Sequence, residues 1–287
     1  MRRLPGRIGP IATEADPEHR QLAIYILDVM TSTADRAAAL RALHSDTTLL
    51  TLVNVWDVAS ARAVAGAEGT RAIATASHAI AAMYGYEDGE QIPRDTMLEA
   101  VGRVVQAVDL PVTADLEAGY GDAAETVRRA IGLGVAGCNI EDQMRPLTEA
   151  AAVVESVMRA AADEGVPDFV LNARTDAFIR AGDRDPHDVL AEASERGRAF
   201  LDAGAPVVFV PGRLTDEQVV ALVDALGPQK LSVLPVTGPS LARLQEIGVA
   251  RVSFGPFPQR VALTALQEMV EGVARGEGIP AGTRLLT

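Results

Sequence analysis

The chain has one lysine, Lys230, one cysteine, Cys138, and aromatic residues at only 4% of its 287 positions. Positive charge is scarce too: 26 Lys and Arg face 39 Asp and Glu, a formal net charge of −13. Each shortage excludes something. A single cysteine makes neither an internal disulfide nor a cysteine-based zinc site, and it fits a reducing, cytoplasmic setting. Arginine stays protonated and forms no Schiff base, so imine or pyridoxal chemistry would rest on Lys230 alone. The acidic balance repels phosphate backbones and anionic lipid, which speaks against nucleic acid or a membrane surface as partner. No apolar run approaches the roughly 18 residues of a membrane helix; Leu22 to Met30 is broken by Asp28. The basic opening Met1 to Arg7 has no apolar stretch and cleavage site after it, so it does not read as a secretion signal.

What is present is a core: 48% of residues are apolar and 23% charged, which rules out global disorder. From Thr47 onward, eight short β-branched runs alternate with eight helical patterns. The runs are Leu49–Asn54, Arg71–Thr75, Pro111–Asp115, Gly137–Glu141, Asp168–Ala173, Pro206–Val210, Leu231–Leu234 and Arg251–Phe254. Strands this apolar are buried on both faces, as in a parallel sheet, and eight βα units predict a (β/α)8 TIM barrel. Gly134, Gly165, Gly204, Gly227 and Gly248 fall between helix and strand, where left-handed C-caps are wanted. Two further helical patterns, Pro17–Met30 and Thr33–His44, precede the first strand and would close the barrel floor or touch a neighbouring subunit. The expected organisation is a flexible tail over residues 1–16 and one catalytic domain over 17–287. Gly132 to Gly137 matches G-x-G-x-x-G, but it follows a helix and opens a strand, the reverse of a dinucleotide-binding loop.

Active sites of such barrels lie at the C-terminal strand ends. There the chain gathers Asp57, Asp88, Asp115, Glu117, Glu141 and Asp142 against one strand-end arginine, Arg174. Crowded carboxylates repel one another, and a divalent cation resolves the conflict; oxygen ligands without a His or Cys cluster suit Mg2+, with Mn2+ as a substitute. Capping of the following helix is the competing role for Asp57, Asp88 and Asp142, and an ion pair with Glu141 or Asp176 is the competing role for Arg174. Trp56 and Asp57, where the first strand runs out, and Ser77 and His78, after the second, are expected against the substrate. His78 is a possible acid, base or substrate contact, or merely hydrogen-bonded locally. The other three histidines, His19, His44 and His187, read as surface residues. Lys230 opens a strand and so lies at the far end of the barrel, which removes Schiff-base chemistry from the site.

The segments Asn54-Val55-Trp56-Asp57, Tyr84-Gly85-Tyr86-Glu87-Asp88, Ala114-Asp115-Leu116-Glu117-Ala118-Gly119-Tyr120-Gly121, Asn139-Ile140-Glu141-Asp142 and Asn172-Ala173-Arg174-Thr175-Asp176 together resemble the isocitrate lyase/phosphoenolpyruvate mutase superfamily, over about residues 40–270. The resemblance implies a Mg2+-dependent barrel whose eighth helix is swapped between subunits of a homodimer or homotetramer. It implies action on small α-oxo or α-hydroxy carboxylates, breaking or making C–C or P–C bonds through a pyruvate-type enolate. By position, Asp115 resembles the direct metal ligand, and Asp88, Glu117 and Glu141 the acids that hold metal-bound water. Arg174 resembles the arginine that grips the substrate carboxylate, and the amides at Ser77 and His78 the loop that receives it. Two signatures of the family are missing after Glu141: the Lys-(Lys/Arg)-Cys-Gly-His segment of the lyases and the Lys…Thr-Asn-Ser gating loop of the mutases. The expected activity is therefore a lyase or decarboxylase, with a P–C bond enzyme or a catalytically inactive keto-acid-binding barrel as alternatives.

Overall fold

A computed structural model describes residues 32–284 and 286. The expected tail and the helical pattern Pro17–Met30 lie outside the described residues. Within them, helix α1 (Thr33–Ser45) precedes nine strand segments: β1 (Leu50–Leu52), β2 (Asn54–Val55), β3 (Ile73–Thr75), β4 (Val112–Asp115), β5 (Gly137–Glu141), β6 (Val170–Arg174), β7 (Val207–Val210), β8 (Leu231–Val233) and β9 (Arg251–Ser253). Every neighbouring pair is parallel, and the order β1-β9-β8-β7-β6-β5-β4-β3-β2 is that of a TIM-type barrel. The strand expected over Leu49–Asn54 is divided at Val53. Its first part pairs with β9 and its second with β3, so a single run of chain joins the two ends of the sheet. Strands of a closed barrel are staggered, and this break lets one strand match two neighbours at different heights.

The helices between strands are α2 (Val58–Ala65), α3 (Ser77–Met83), α4 (Arg94–Gln106), α5 (Ala123–Gly132), α6 (Leu147–Asp163), α7 (Pro186–Asp202), α8 (Asp216–Leu226), α9 (Leu241–Ile247) and α10 (Phe257–Ala274). Helix α3 was not expected. It is only seven residues long, too short to show a periodic apolar face, and Ser77 and His78 therefore read as loop. Gly134, with φ 94°, turns the chain from α5 into β5, as the sequence reading of that glycine cluster requires. Among the described residues no helix is long and apolar enough to cross a membrane.

Helix α1 closes the floor, the end where the strands begin. A Cβ at Gly137, the first residue of β5, would lie 2.9 Å from Leu40 Cδ2 and 2.6 Å from the Val170 carbonyl oxygen. Only a glycine lets the helix come this close. The same packing corrects the reading of His44 as a surface residue: it is 3% exposed, and its Nδ1 donates to the Leu40 carbonyl at 2.8 Å. Helical context alone could not reveal this, because the helix covers the barrel with one face. Burial first, then the charges of Arg251 and Arg41, hold the His44 imidazole down at about 3, against about 6.5 in an unfolded chain.

His44 is thus neutral in the fold, and as pH falls through 6.5 the unfolded state takes up a proton that the folded state refuses. Stability is lost progressively from about pH 6.5 toward pH 3. In urea titrations at each pH, His44→Gln should gain stability relative to the parent as pH falls from 7 to 4; a difference that stays constant with pH would contradict the assignment.

Candidate active site

At the C-terminal end of the strands, β4 delivers Asp115 into the barrel mouth. Its Oδ2 accepts from the Ser77 backbone N–H at 3.2 Å and the Ser77 hydroxyl at 2.9 Å. Its own N–H donates to Thr75 Oγ1 at 3.0 Å. The other carboxylate oxygen, Oδ1, is buried and has no partner. Asp88 approaches from the loop after α3, with Oδ1 3.5 Å from Ser77 Oγ and Oδ2 3.5 Å from His78 Nδ1.

That loop is latched from the β4 side. The buried Glu117 carboxylate accepts from the Tyr120 hydroxyl at 2.8 Å and from the Glu90 backbone N–H, while the Glu90 carboxylate accepts from the Tyr120 backbone N–H. Glu90, Glu117 and Tyr120 all sit in left-handed backbone, with φ of 61°, 53° and 55°. Such conformations are costly for residues with a Cβ and cluster where a surrounding network over-determines them. Burial pushes Glu117 up to about 6; the Tyr120 and Glu90 hydrogen bonds oppose that rise, and Asp115 and Asp88 add to it.

On the next strands, Arg174 Nη1 pairs with Glu141 at 2.8 Å and Arg174 Nε with Asp176 at 2.8 Å, so both pairings weighed from the sequence exist. Burial pushes Glu141 up to about 7 against the pull of Arg174, with Asp176, Asp115 and Glu117 adding to the rise. Burial works against the Arg174 charge, but Glu141, Asp176 and Asp115 outweigh it, and the guanidinium is raised. Asp142 is a pin: it pairs with Arg196 at 3.2 Å and accepts from the backbone of Met144 and Asp176. Arg196 also donates to the Arg145 carbonyl at 3.0 Å, which fastens the short segment between β5 and α6.

Ser77, His78, Asp88, Asp115 and Arg174 meet around one cavity of about 150 Å³. This is smaller than the few hundred Å³ of a drug-sized pocket and suits a small metabolite. Asn54, Asn139 and Ser253 complete its polar side, while Ile179, Phe209, Pro211, Leu234 and Pro256 supply an apolar wall. Glu117 and Glu141 stand behind this lining. Trp56 and Asp57 line a separate groove with Tyr84 and Arg103. Asp57 is engaged as the N-cap of α2, accepting from Ser60 N at 2.7 Å while its N–H donates to Ser60 Oγ. Cys138 is fully buried with its thiol pushed up by burial, and Lys230 is exposed at the opposite end of the barrel.

Sequence reasoning passed over Asn54 and Asn139. Asn54 Oδ1 accepts from the N–H groups of Phe254 and Gly255 at 2.7 and 2.8 Å, and its Nδ2 donates to the Thr75 carbonyl at 2.8 Å. It thereby ties β2 to β3 and to the chain leaving β9. The signal was available: a polar residue inside an apolar strand that faces the axis.

Among the described residues no three His, Cys, Asp or Glu side chains converge as a ready-made metal cluster. A magnesium ion keeps several waters and needs only one or two direct carboxylates. The buried, unpartnered Asp115 Oδ1 beside Asp88 fits that mode of binding.

Residues 40–274 match the family model described as phosphoenolpyruvate phosphomutase. The chain belongs to this family. It is a member of the isocitrate lyase/phosphoenolpyruvate mutase superfamily, which contains both lyases and phosphomutases. An uncharacterized protein of Mycobacterium tuberculosis is 32% identical, over 83% of this chain and 90% of its own. The phosphoenolpyruvate phosphomutase of Streptomyces hygroscopicus is 28% identical, over 79% of this chain and 77% of its own. Among solved structures, oxaloacetate acetylhydrolase in complex with its product oxalate superposes with a TM-score of 0.77 at 26% identity, covering 88% of this chain and 92% of that one.

Asn54→Ala removes three hydrogen bonds and strands two backbone N–H groups at the closure of the barrel. The expected loss is about 2–3 kcal/mol in a denaturant titration; a loss under about 0.5 kcal/mol would contradict the clamp.

Proposed function

We propose that this protein is a Mg2+-dependent lyase or decarboxylase that cleaves a C–C bond of a small α-oxo or α-hydroxy carboxylate or dicarboxylate through a pyruvate-type enolate. The observation that carries the reading is the buried Asp115 Oδ1, without a partner, beside a small cavity that also holds Arg174 and Ser77. Asp115 would hold the metal directly, with Asp88, Glu117 and Glu141 receiving its waters, and Mn2+ could replace it. When bound, the ion supplies a Lewis acid that neutralises charge developing on the substrate oxygen.

The chain's own groups do the rest. Arg174, held in orientation by Glu141 and Asp176, presents its planar guanidinium to a carboxylate. The Ser77 and His78 segment receives the same end of the substrate. Bond cleavage releases CO2, or a carbonyl product once the substrate hydroxyl has given its proton to water, and leaves an electron pair on the enolate carbon; His78, half-exposed and facing Asp88, would return a proton there. The apolar wall of Phe209, Pro211 and Leu234 receives the remainder of the molecule and limits the water beside it. Lys230 and Cys138 take no part.

A P–C bond reaction is the second reading, favoured by the phosphomutase relatives. Purified protein with Mg2+ should release pyruvate or a similar keto acid from a member of a panel of small oxo- and hydroxy-acids, followed by carbon and phosphorus NMR. Chelator should abolish turnover and Asp115→Ala should lower it by at least about 100-fold. Activity indifferent to both would overturn the proposal, a product altered only at phosphorus would select the second reading, and oxalate binding without turnover would mark a barrel that has lost catalysis.

We further propose a cytoplasmic homodimer or homotetramer in which α10 packs on a second copy. Val261, Leu263, Leu266, Val270 and Val273 on this helix are 52–70% exposed, a large apolar surface for a lone chain. Light scattering should give the mass of two or four chains, falling to one in Leu266→Glu/Val270→Glu; a monomeric parent would refute the assembly.

A further inference from the structure

Axis-facing positions of a (β/α)8 barrel are usually filled by Val, Ile and Leu. Beneath the cavity this barrel instead carries Thr113, Asn139, Asn172, Ser232 and Arg251, all buried. Arg251 opens β9 and is 1% exposed, the largest of the fully buried side chains. Its Nη2 donates to Asn139 Oδ1 at 3.4 Å, an oxygen already taken by Asn172 Nδ2 at 2.8 Å. Its Nε and Nη1 have no partner.

A buried cation is costly unless an opposite charge answers it. Burial lowers the Arg251 guanidinium to about 10, with Asp115 pulling the other way, so it still carries its charge at neutral pH. Asp115 is the carboxylate that answers it. Arg251 reaches toward the cavity through its hydrogen bond to Asn139, which lines the cavity and is the backbone register partner of Asp115 across β4 and β5. The guanidinium that lines the cavity itself, Arg174, is already committed to Glu141 and Asp176.

We infer that Arg251 is a positioning residue, a fixed positive charge beneath the cavity that acts through space and through Asn139. It loosens the site's grip on a cation and strengthens its grip on an anionic substrate. The inference rests on the proposed reading of this cavity as a site for Mg2+ and a small carboxylate.

The test is calorimetric, with MgCl2 alone and then with oxalate at saturating Mg2+, on the parent, Arg251→Lys, Arg251→Met and Arg251→Gln. Loss of the charge should tighten Mg2+ binding and weaken oxalate binding, each by about 10-fold. Arg251→Lys should stay within about twofold of the parent for both ligands. A merely structural role moves both affinities the same way, so weakening of both, or no change in either, would overturn the inference. Failure of both neutral variants to fold while Arg251→Lys folds would likewise assign Arg251 to structure and overturn it. A parent that binds neither ligand would fail the site reading itself and take this inference with it, whereas a parent that binds both isolates the role of Arg251.

Discussion

Confined negative charge is the constraint on which this structure turns. At the barrel mouth burial first, and then the charges of neighbouring carboxylates, raise the affinity of Glu117 and Glu141 for protons. The fold answers with fixed dipoles and a few guanidiniums instead of solvent. Ser77 binds one oxygen of Asp115 through both its backbone N–H and its hydroxyl, Tyr120 and the Glu90 amide hold Glu117, and Arg174 holds Glu141. What these groups leave unanswered, above all the second oxygen of Asp115, is the feature on which the proposed cation site rests.

The same polar side chains organise the barrel. Division of the first strand at Val53 joins the two ends of the sheet, and Asn54 secures the junction by bonding to β3 and to the chain beyond β9. The floor is sealed by α1 lying on Gly137, which also buries His44. Site and scaffold therefore share residues, so changes at Asn54 or Asn139 act on both.

The chemistry is narrowed by what stands around the acids. The segment after Glu141 is short and fastened by Arg196 and Asp142. The cavity lining combines polar groups such as Asn54, Ser77 and Arg174 with the apolar Ile179, Phe209, Pro211 and Leu234, a mixture on which the proposal of a small carboxylate rests. Cys138 is sealed in the wall and Lys230 lies at the far end, whereas His78 lines the cavity.

By itself the sequence determined the architecture: alternating apolar strands and amphipathic helices call for a parallel sheet, eight such units point to its closure as a barrel, and the strand-end rule then puts Asp115, Arg174, Ser77 and His78 at one mouth. Residue type and chain position were enough, because they decide which end of a strand a side chain occupies. Only the tertiary structure decided which acids face the cavity, since that depends on side chains distant in the chain. Asp57 is engaged by Ser60, Asp142 by Arg196, and Glu117 by a latch through Glu90 and Tyr120. Helix α3 carried no periodic signal in seven residues, His44 read as a surface residue, and Arg251 was only the first residue of a strand run until the ring closed around them. Burial is a property of the closed barrel: one strand or helix cannot show which of its polar groups will lose water, and that loss sets the charge balance of the site.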